Sequence, residues 1–157
     1  MFLAYLVNFF VANTYGKEIY GNFATSLTIL EILGVIASLG LAELIIKLSA
    51  DVNYNDNGFP KYNYLNKSVF LVFISSLIFS GIFYFLSESI ATSIFDEENL
   101  SDFFKILAFF LPFFSLHLLF TSNWQGIGNF MKFGIFRFVI PYVLFFLVYF
   151  SGIHLEN

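Results

Sequence analysis

The run VFLVFISSLIFSGIFYFL at residues 69–86 most constrains the fold, because it holds no charged residue along its whole length. A helix needs about 20 mostly apolar residues to cross the hydrocarbon core of a bilayer. Only helices and closed barrels satisfy their backbone hydrogen bonds in lipid, and this run lacks the apolar–polar alternation of barrel strands. The run therefore predicts a transmembrane helix.

Other apolar runs predict that the chain crosses the membrane repeatedly. The first of them, MFLAYLVNFFVA, is short and lacks the basic start of a signal peptide. We interpret it as the rear half of a truncated helix. We predict an all-α polytopic transmembrane bundle that forms a single unit over residues 1–157. Its predicted full spans are 23–46, 69–86, 103–122 and 135–150, and its truncated first span is 1–12.

The composition favours a membrane protein and argues against several other classes. The chain is 59% hydrophobic and only 11% charged, whereas a soluble domain is roughly 25% charged. A net charge of −4 and the lack of cysteine do not indicate a nucleic-acid partner or a thiolate metal site. The hydrolase motifs H-E-x-x-H and G-x-S-x-G are absent from the sequence. We therefore predict neither an enzyme nor a bound cofactor or metal.

The positions of lysine and arginine predict which loops face the cytoplasm. The loops at 48–68 and 124–137, with the helix end before the first of them, hold most of the basic residues. The positive-inside rule places these loops in the cytoplasm and the acidic loop 87–102 outside. The predicted cytoplasmic cations are Lys47, Lys61, Lys67, Lys132 and Arg137, and the outer ones are Lys17 and Lys105.

Glu31 is a carboxylate near the middle of the predicted span 23–46. A charge at that depth costs roughly 2.5–3.5 kcal/mol or more, and it is tolerated mainly beside a partner or a cavity. Residues spaced three, four or seven positions apart share a helix face, and around Glu31 that face is small and weakly polar. Two interpretations stay open: a neutral acid that hydrogen-bonds a neighbouring helix, or a proton-coupling or substrate-path residue. The predicted packing or cavity face is Ala24, Thr28, Gly34, Ser38 and Ala42.

His117 is the second polar residue that the sequence places deep in a span. Pro112 precedes it by five positions and removes the hydrogen bond to the carbonyl of Ala108, which predicts a kink. A kink beside a histidine is typical of a moving segment, so His117 is a further candidate for proton coupling or the substrate path. The alternative is a histidine satisfied by one hydrogen bond between helices.

The stretch NTYGKEIYGNFATSLTILEILGVIASLGLAELIIKLSAD resembles the opening of bacterial polysaccharide biosynthesis membrane proteins, the oligosaccharide flippases that export O-antigen or teichoic acid. The later stretch WQGIGNFMKFGIFRFVIPYVL is similar to the fourth-helix end, cytoplasmic turn and fifth-helix entry of that family. The resemblance covers nearly the whole chain. The matching positions are Gly16, Tyr20 and Gly21 in the turn that ends the first helix, Ser38 to Leu41 and Lys47 at the close of the second helix, Pro112 in the fourth helix, and Gln125, Gly126 and Gly128 in the cytoplasmic turn.

The resemblance implies a larger two-lobed transporter that flips lipid-linked oligosaccharide by alternating access. It implies a multi-pass protein of the bacterial or archaeal cell (inner) membrane, with the bilayer and the remaining half of the transporter as partners. Since the chain starts within the first helix and stops after the fifth, we expect an N-terminal fragment.

Two alternatives stay open beside the flippase interpretation. Pyrophosphate-lipid substrates call for cationic residues in the cavity, but of the deep polar residues only His117 can become cationic. A drug or ion antiporter of the same superfamily therefore remains an alternative. From another class, the chain is a helical membrane subunit that packs against partners and transports nothing.

Overall fold

The computed structural model describes residues 2–50, 64–141 and 143. This part of the chain consists of helices and short turns without any strand, which confirms the predicted all-α class. The helices are α1 (Phe2–Ala37), α2 (Leu41–Ala50), α3 (Tyr64–Phe95), α4 (Leu100–Gly126) and α5 (Phe130–Gly134), and a π-helical segment (Ile135–Val139) follows α5.

Three helices of the described part are long and apolar enough to cross a membrane. They are Ile19–Ala37 within α1, Tyr64–Phe95 and Leu100–Gly126, with mean hydropathies of 1.5, 2.4 and 2.0. These helices indicate a membrane protein. Half of the predicted span at 135–150 lies outside the described residues, so the predicted count of four full spans stays a prediction.

Two interruptions divide the first part of the chain. Gly16 has φ 86° and ψ 172°, which are not helical values, and separates an N-terminal helical segment from the span that begins near Ile19. The second interruption is a turn at 38–40, where Leu39 (φ 53°) and Gly40 (φ 70°) are both left-handed. A right-handed helix cannot continue through two such residues. The predicted span 23–46 therefore differs from the structure, which ends one helix at Ala37 and begins α2 at Leu41.

The helices α3 and α4 extend beyond the apolar runs that predict them. The predicted spans 69–86 and 103–122 become Tyr64–Phe95 and Leu100–Gly126, and only residues 96–99 separate the two helices. Ser87 and Ala91 are buried in this extension while Glu88 is exposed. One apolar side is enough to keep a helix packed outside the hydrocarbon layer. The predicted loop 87–102 is therefore mostly helical.

The predicted cytoplasmic loops differ from the structure where it describes them. Residues 124–126 belong to α4 and residues 130–137 are helical, so only a short turn remains of the predicted loop 124–137. Most of the predicted loop 48–68 lies outside the described residues, apart from its helical ends in α2 and α3.

The helix α4 is the centre of the packing, because α1, α2 and α3 each make most of their contacts with it. Phe83 of α3 lies against Phe104, with ring centroids 5.5 Å apart, while Val72 clusters with Leu119 near the other end. The helix α3 is therefore antiparallel to α4. The helices α1 and α2 follow α4 in the same direction, since Leu30 clusters with Leu111 and Ile45 clusters with Leu119.

Pro112 is buried inside α4, and the helix is continuous through it. Proline has no N–H, so the carbonyl of Ala108 loses its usual partner within the helix. The hydroxyl of Ser80 on α3 donates a hydrogen bond to that carbonyl. A neighbouring helix thus satisfies the backbone group that proline releases, as membrane helices require. The predicted bend at Pro112 stays a prediction.

Candidate functional site

A groove of about 260 Å³ opens at one end of the described bundle. It lies where the turn between α1 and α2 meets the last turns of α4 and the segment after α5. The apolar part of its wall includes Val35, Ile46, Leu118 and Phe133. The polar part of its wall is formed by Ser38, Glu43, Thr121, Ser122, Gln125 and Arg137.

A close approach of α2 to α4 holds one side of the groove. At Gly126, an added Cβ would lie 2.6 Å from the backbone oxygen of Ile46 and 2.7 Å from Cβ of Ser49. Nearby, the Ser49 hydroxyl donates a 2.9 Å hydrogen bond to Oδ1 of Asn123. The missing side chain at Gly126 therefore allows α2 to lie directly on α4 beside the groove.

The polar groups of the groove fall into two kinds. The hydroxyl of Ser38 donates to the carbonyl of Val35 at 2.7 Å, and that of Thr121 donates to the carbonyl of His117 at 2.9 Å. These hydroxyls are satisfied by their own chain. The second kind has no hydrogen-bond or ion-pair partner within the described residues. It consists of the side chains of Glu43, Ser122, Gln125 and Arg137.

Arg137 is half-buried and approaches the groove from the π-helical segment, whereas Glu43 is exposed on α2. The two line the same groove without a direct ion pair. The groove therefore presents a separate positive and negative charge together with an amide and a hydroxyl. Such a set can hydrogen-bond sugar hydroxyls and pair with a phosphate or carboxylate group.

Glu31 lies on the exposed side of α1. The side of α1 that packs on α4 carries Ser26, Leu30, Gly34 and Ala37 instead. Glu31 has no hydrogen-bond or ion-pair partner among the described residues. It lies one helical turn before Val35, a residue of the groove wall, and therefore on the same side of the helix.

The predicted face around Glu31 divides into two parts. Gly34, Ser38 and Ala42 are buried, and the last two also line the groove. Ala24 is half-buried, and Thr28 is exposed with its hydroxyl bonded to the carbonyl of Ala24 at 3.0 Å. One end of the predicted face therefore packs and reaches the groove, while the end with Thr28 and Glu31 faces outward.

His117 is half-buried on α4, and its ring lies against that of Phe114 with centroids 6.5 Å apart. Arg137 is close enough to act on it electrostatically. His117 also lies one turn before Thr121 of the groove. The structure thus brings His117 towards Arg137, and within the described residues it shows no hydrogen bond or ion pair between His117 and Glu31.

The sequence alone does not single out Arg137, Gln125 or Ser122 as site residues. Arg137 counts in the sequence only as a loop cation, because the groove that it lines is formed by residues distant from it in the chain. A local signal exists for α4, where Leu118, Thr121, Ser122 and Gln125 recur at helical spacing and turn polar as the apolar run ends. In the ranges that the structure covers, no group of three His, Asp or Glu side chains could hold a metal ion.

A comparison with protein-family models, with curated proteins and with solved structures finds no match to this chain. The features of this chain that bear on its function are therefore the helical fold and the polar side chains of the groove.

Proposed function

We propose that this chain belongs to a membrane exporter that moves lipid-linked oligosaccharide for cell-surface polysaccharide. The groove is the part of the substrate path that this chain contributes. The observation that carries the proposal is the set of unpartnered polar side chains in the groove, above all Glu43 and Arg137. A concave site with a few convergent polar groups is a usual place for a ligand to bind.

The chemistry of the groove suits a phosphorylated sugar. Arg137 supplies a permanent cation, and a guanidinium binds phosphate oxygens in pairs. Glu43, Gln125 and Ser122 offer acceptors and donors for sugar hydroxyls. A pyrophosphate lipid needs a permanent cation, which the deep polar residues lack. Arg137 supplies one from the groove at the end of the bundle.

The size of the groove limits what it can hold. Its volume of about 260 Å³ is just below the roughly 300–1,000 Å³ of pockets that enclose a drug-sized ligand. The groove accommodates one end of a lipid-linked oligosaccharide, such as a phosphate with its first sugar. The other wall of the path would come from a second helix bundle, because transporters of this type bind substrate between two repeats.

Glu31 is the proposed proton-coupling residue of this exporter. It lies one turn along α1 from the groove, on the exposed side that a second helix bundle would approach. Loading and release of the proton would then accompany the rocking of the two bundles.

The test is complementation of a strain that lacks the gene, with surface glycan as the readout. Arg137→Gln is expected to reduce export strongly, because the amide cannot pair with phosphate, whereas Arg137→Lys keeps the charge and part of the activity. Lys105→Gln removes one positive charge at the other end of α4 and serves as the matched control. Glu31→Gln keeps the size and hydrogen bonds of the side chain and is expected to abolish the pH dependence of export.

The same experiment separates the alternatives. If Arg137→Gln is present at normal levels and exports glycan normally, the groove is not part of the substrate path. Unchanged glycan in the deletion strain, with a raised sensitivity to toxic cations, would favour an antiporter. If the deletion alters neither, the chain is a membrane subunit without transport activity.

A further inference from the structure

The turn that joins α4 to α5 forms an exposed corner with an unusual combination of side chains. Gly128 (φ 77°) reverses the chain there, and Oδ1 of Asn129 accepts a 3.2 Å hydrogen bond from the backbone N–H of Lys132. We use the term lipid-facing corner for Trp124, Phe130, Met131 and Lys132. The Lys132 ammonium lies 4.4 Å from the centre of the Trp124 ring.

Two large apolar side chains project next to this lysine. Phe130 is 70% exposed and Met131 is 78% exposed. They belong to the first turn of α5, just beyond Gly126, where the apolar helix α4 ends. An apolar pair, a tryptophan and a lysine at the end of a membrane-spanning helix are the residue types found at the boundary between acyl chains and headgroups.

The two ends of the described bundle differ in charge, although Glu43 lies at the basic end and Lys105 at the acidic one. The end with the lipid-facing corner also holds Lys47 and Arg137, whereas residues 96–102 at the opposite end carry Asp96, Glu97, Glu98 and Asp102. Lys132 has no acidic partner among the described residues, in contrast to Lys105, which lies 3.4 Å from Asp102. The positive charge of Lys132 is therefore unmatched within the described residues.

We propose that the lipid-facing corner docks on the surface of an anionic leaflet. Phe130 and Met131 enter the boundary of the acyl chains, and the Lys132 ammonium, held over Trp124, binds the phosphate of an anionic phospholipid headgroup. The cation–π contact fixes the ammonium at the depth of the tryptophan ring, so that it does not extend freely into water. This inference depends on membrane insertion and not on the proposed export activity.

Trp124 is the single tryptophan of the chain, so its fluorescence reports on this corner alone. The full chain is reconstituted into phosphatidylcholine vesicles that contain phosphatidylglycerol, with bromine on one lipid species at a time. Bromine quenches tryptophan on contact. Brominated phosphatidylglycerol is expected to quench Trp124 more strongly than brominated phosphatidylcholine at the same mole fraction.

Substitutions of Lys132 test the proposed headgroup contact. Lys132→Gln is expected to lower the preference for phosphatidylglycerol by a factor of about five, the effect of one lysine near an anionic surface. Lys132→Arg should retain the preference, and Lys105→Gln, with the same charge change at the other end, should leave it unaltered. The proposal is overturned if Lys132→Gln shows the same preference for phosphatidylglycerol as the wild type. It is also overturned if Lys132→Arg loses as much of that preference as Lys132→Gln.

The depth of the corner is a second and independent measurement. Bromine placed near the headgroup should quench Trp124 more than bromine near the end of the acyl chain. The double substitution Phe130→Ser and Met131→Ser should shift the Trp124 emission to longer wavelength, because the ring loses its apolar anchor. Stronger quenching from the end of the acyl chain, or an unchanged emission in the double variant, contradicts the proposed docking.

Discussion

Gly126 shows how a single residue position determines the packing of this bundle. A helix needs no glycine at this point for its own backbone, but an added Cβ would lie 2.6 Å from the oxygen of Ile46. That neighbour is backbone and cannot rotate away. Gly34 is different, because its added Cβ would meet the ring of Phe114 at 2.6 Å, and a ring can turn. A side chain at Gly126 is therefore harder to accommodate than one at Gly34.

Gly126→Ala is expected to lower the free energy of unfolding by about 1–3 kcal/mol, the usual cost of overpacking a close contact. The measurement is unfolding in detergent, followed by circular dichroism or Trp124 fluorescence. Gly81→Ala is the matched control, since a Cβ there would meet nothing within 4 Å, and alanine favours a helix over glycine. Equal stability of the Gly126→Ala protein and the wild type would contradict the close approach of α2 to α4.

At the scale of elements, the apolar runs predict which helices exist better than where they end. Hydrophobicity marks the part of a helix that can lie in lipid, but α3 continues past residue 86 because Ser87 and Ala91 still pack. The break at 38–40 leaves no trace in hydropathy, because it depends on the backbone of Leu39 and Gly40. The groove depends on the return of Arg137 to α4, which no local pattern records.

The hydrogen bond from Ser80 to the carbonyl of Ala108 links α3 to the proline position of α4. Ser80→Ala is expected to lower the free energy of unfolding by about 0.6–1.7 kcal/mol, the range for hydrogen bonds between membrane helices. Replacing Pro112 by alanine restores an N–H that can bond the same carbonyl. In the Pro112→Ala background, Ser80→Ala should therefore lower the free energy of unfolding by a smaller amount.

A double-mutant cycle measures this coupling, with Ser80→Ala, Pro112→Ala and the combined variant unfolded under the same conditions. Equal costs of Ser80→Ala in both backgrounds would show that the Ser80 hydroxyl does not compensate for the proline. Ser76→Ala is a useful comparison, because that hydroxyl is buried on the same helix and bonds its own chain at the carbonyl of Phe73.

At the scale of the whole molecule, large apolar side chains cover much of the outer surface. Phe85 is 83% exposed, and Phe109 is 69% exposed on the neighbouring helix. Surfaces of this kind are unstable in water and are expected to contact lipid or further helices. Most cations of the described bundle lie at the groove end, with Lys17 and Lys105 towards the other end. The sequence-based prediction of a cytoplasmic side therefore includes the groove and the lipid-facing corner.

Reporter fusions test this orientation. A reporter fused at Asn57, outside the described residues, is expected to lie in the cytoplasm. A reporter fused at Asn99, in the turn between α3 and α4, is expected to lie outside the cell. A phosphatase reporter active only outside and a fluorescent protein active only inside give opposite signals. The same side for both positions would mean that α3 does not cross the membrane, and exchanged sides would reverse the predicted orientation.

The central place of α4 also has a consequence for synthesis at the ribosome. The helices α1, α2 and α3 precede α4 in the chain, yet they touch each other little and meet mainly through it. During translation they leave the insertion machinery before their common partner exists. Until α4 is synthesised, the early helices are therefore expected to remain separate segments, stabilised by lipid or by assisting proteins. The bundle forms when α4 packs against all of them.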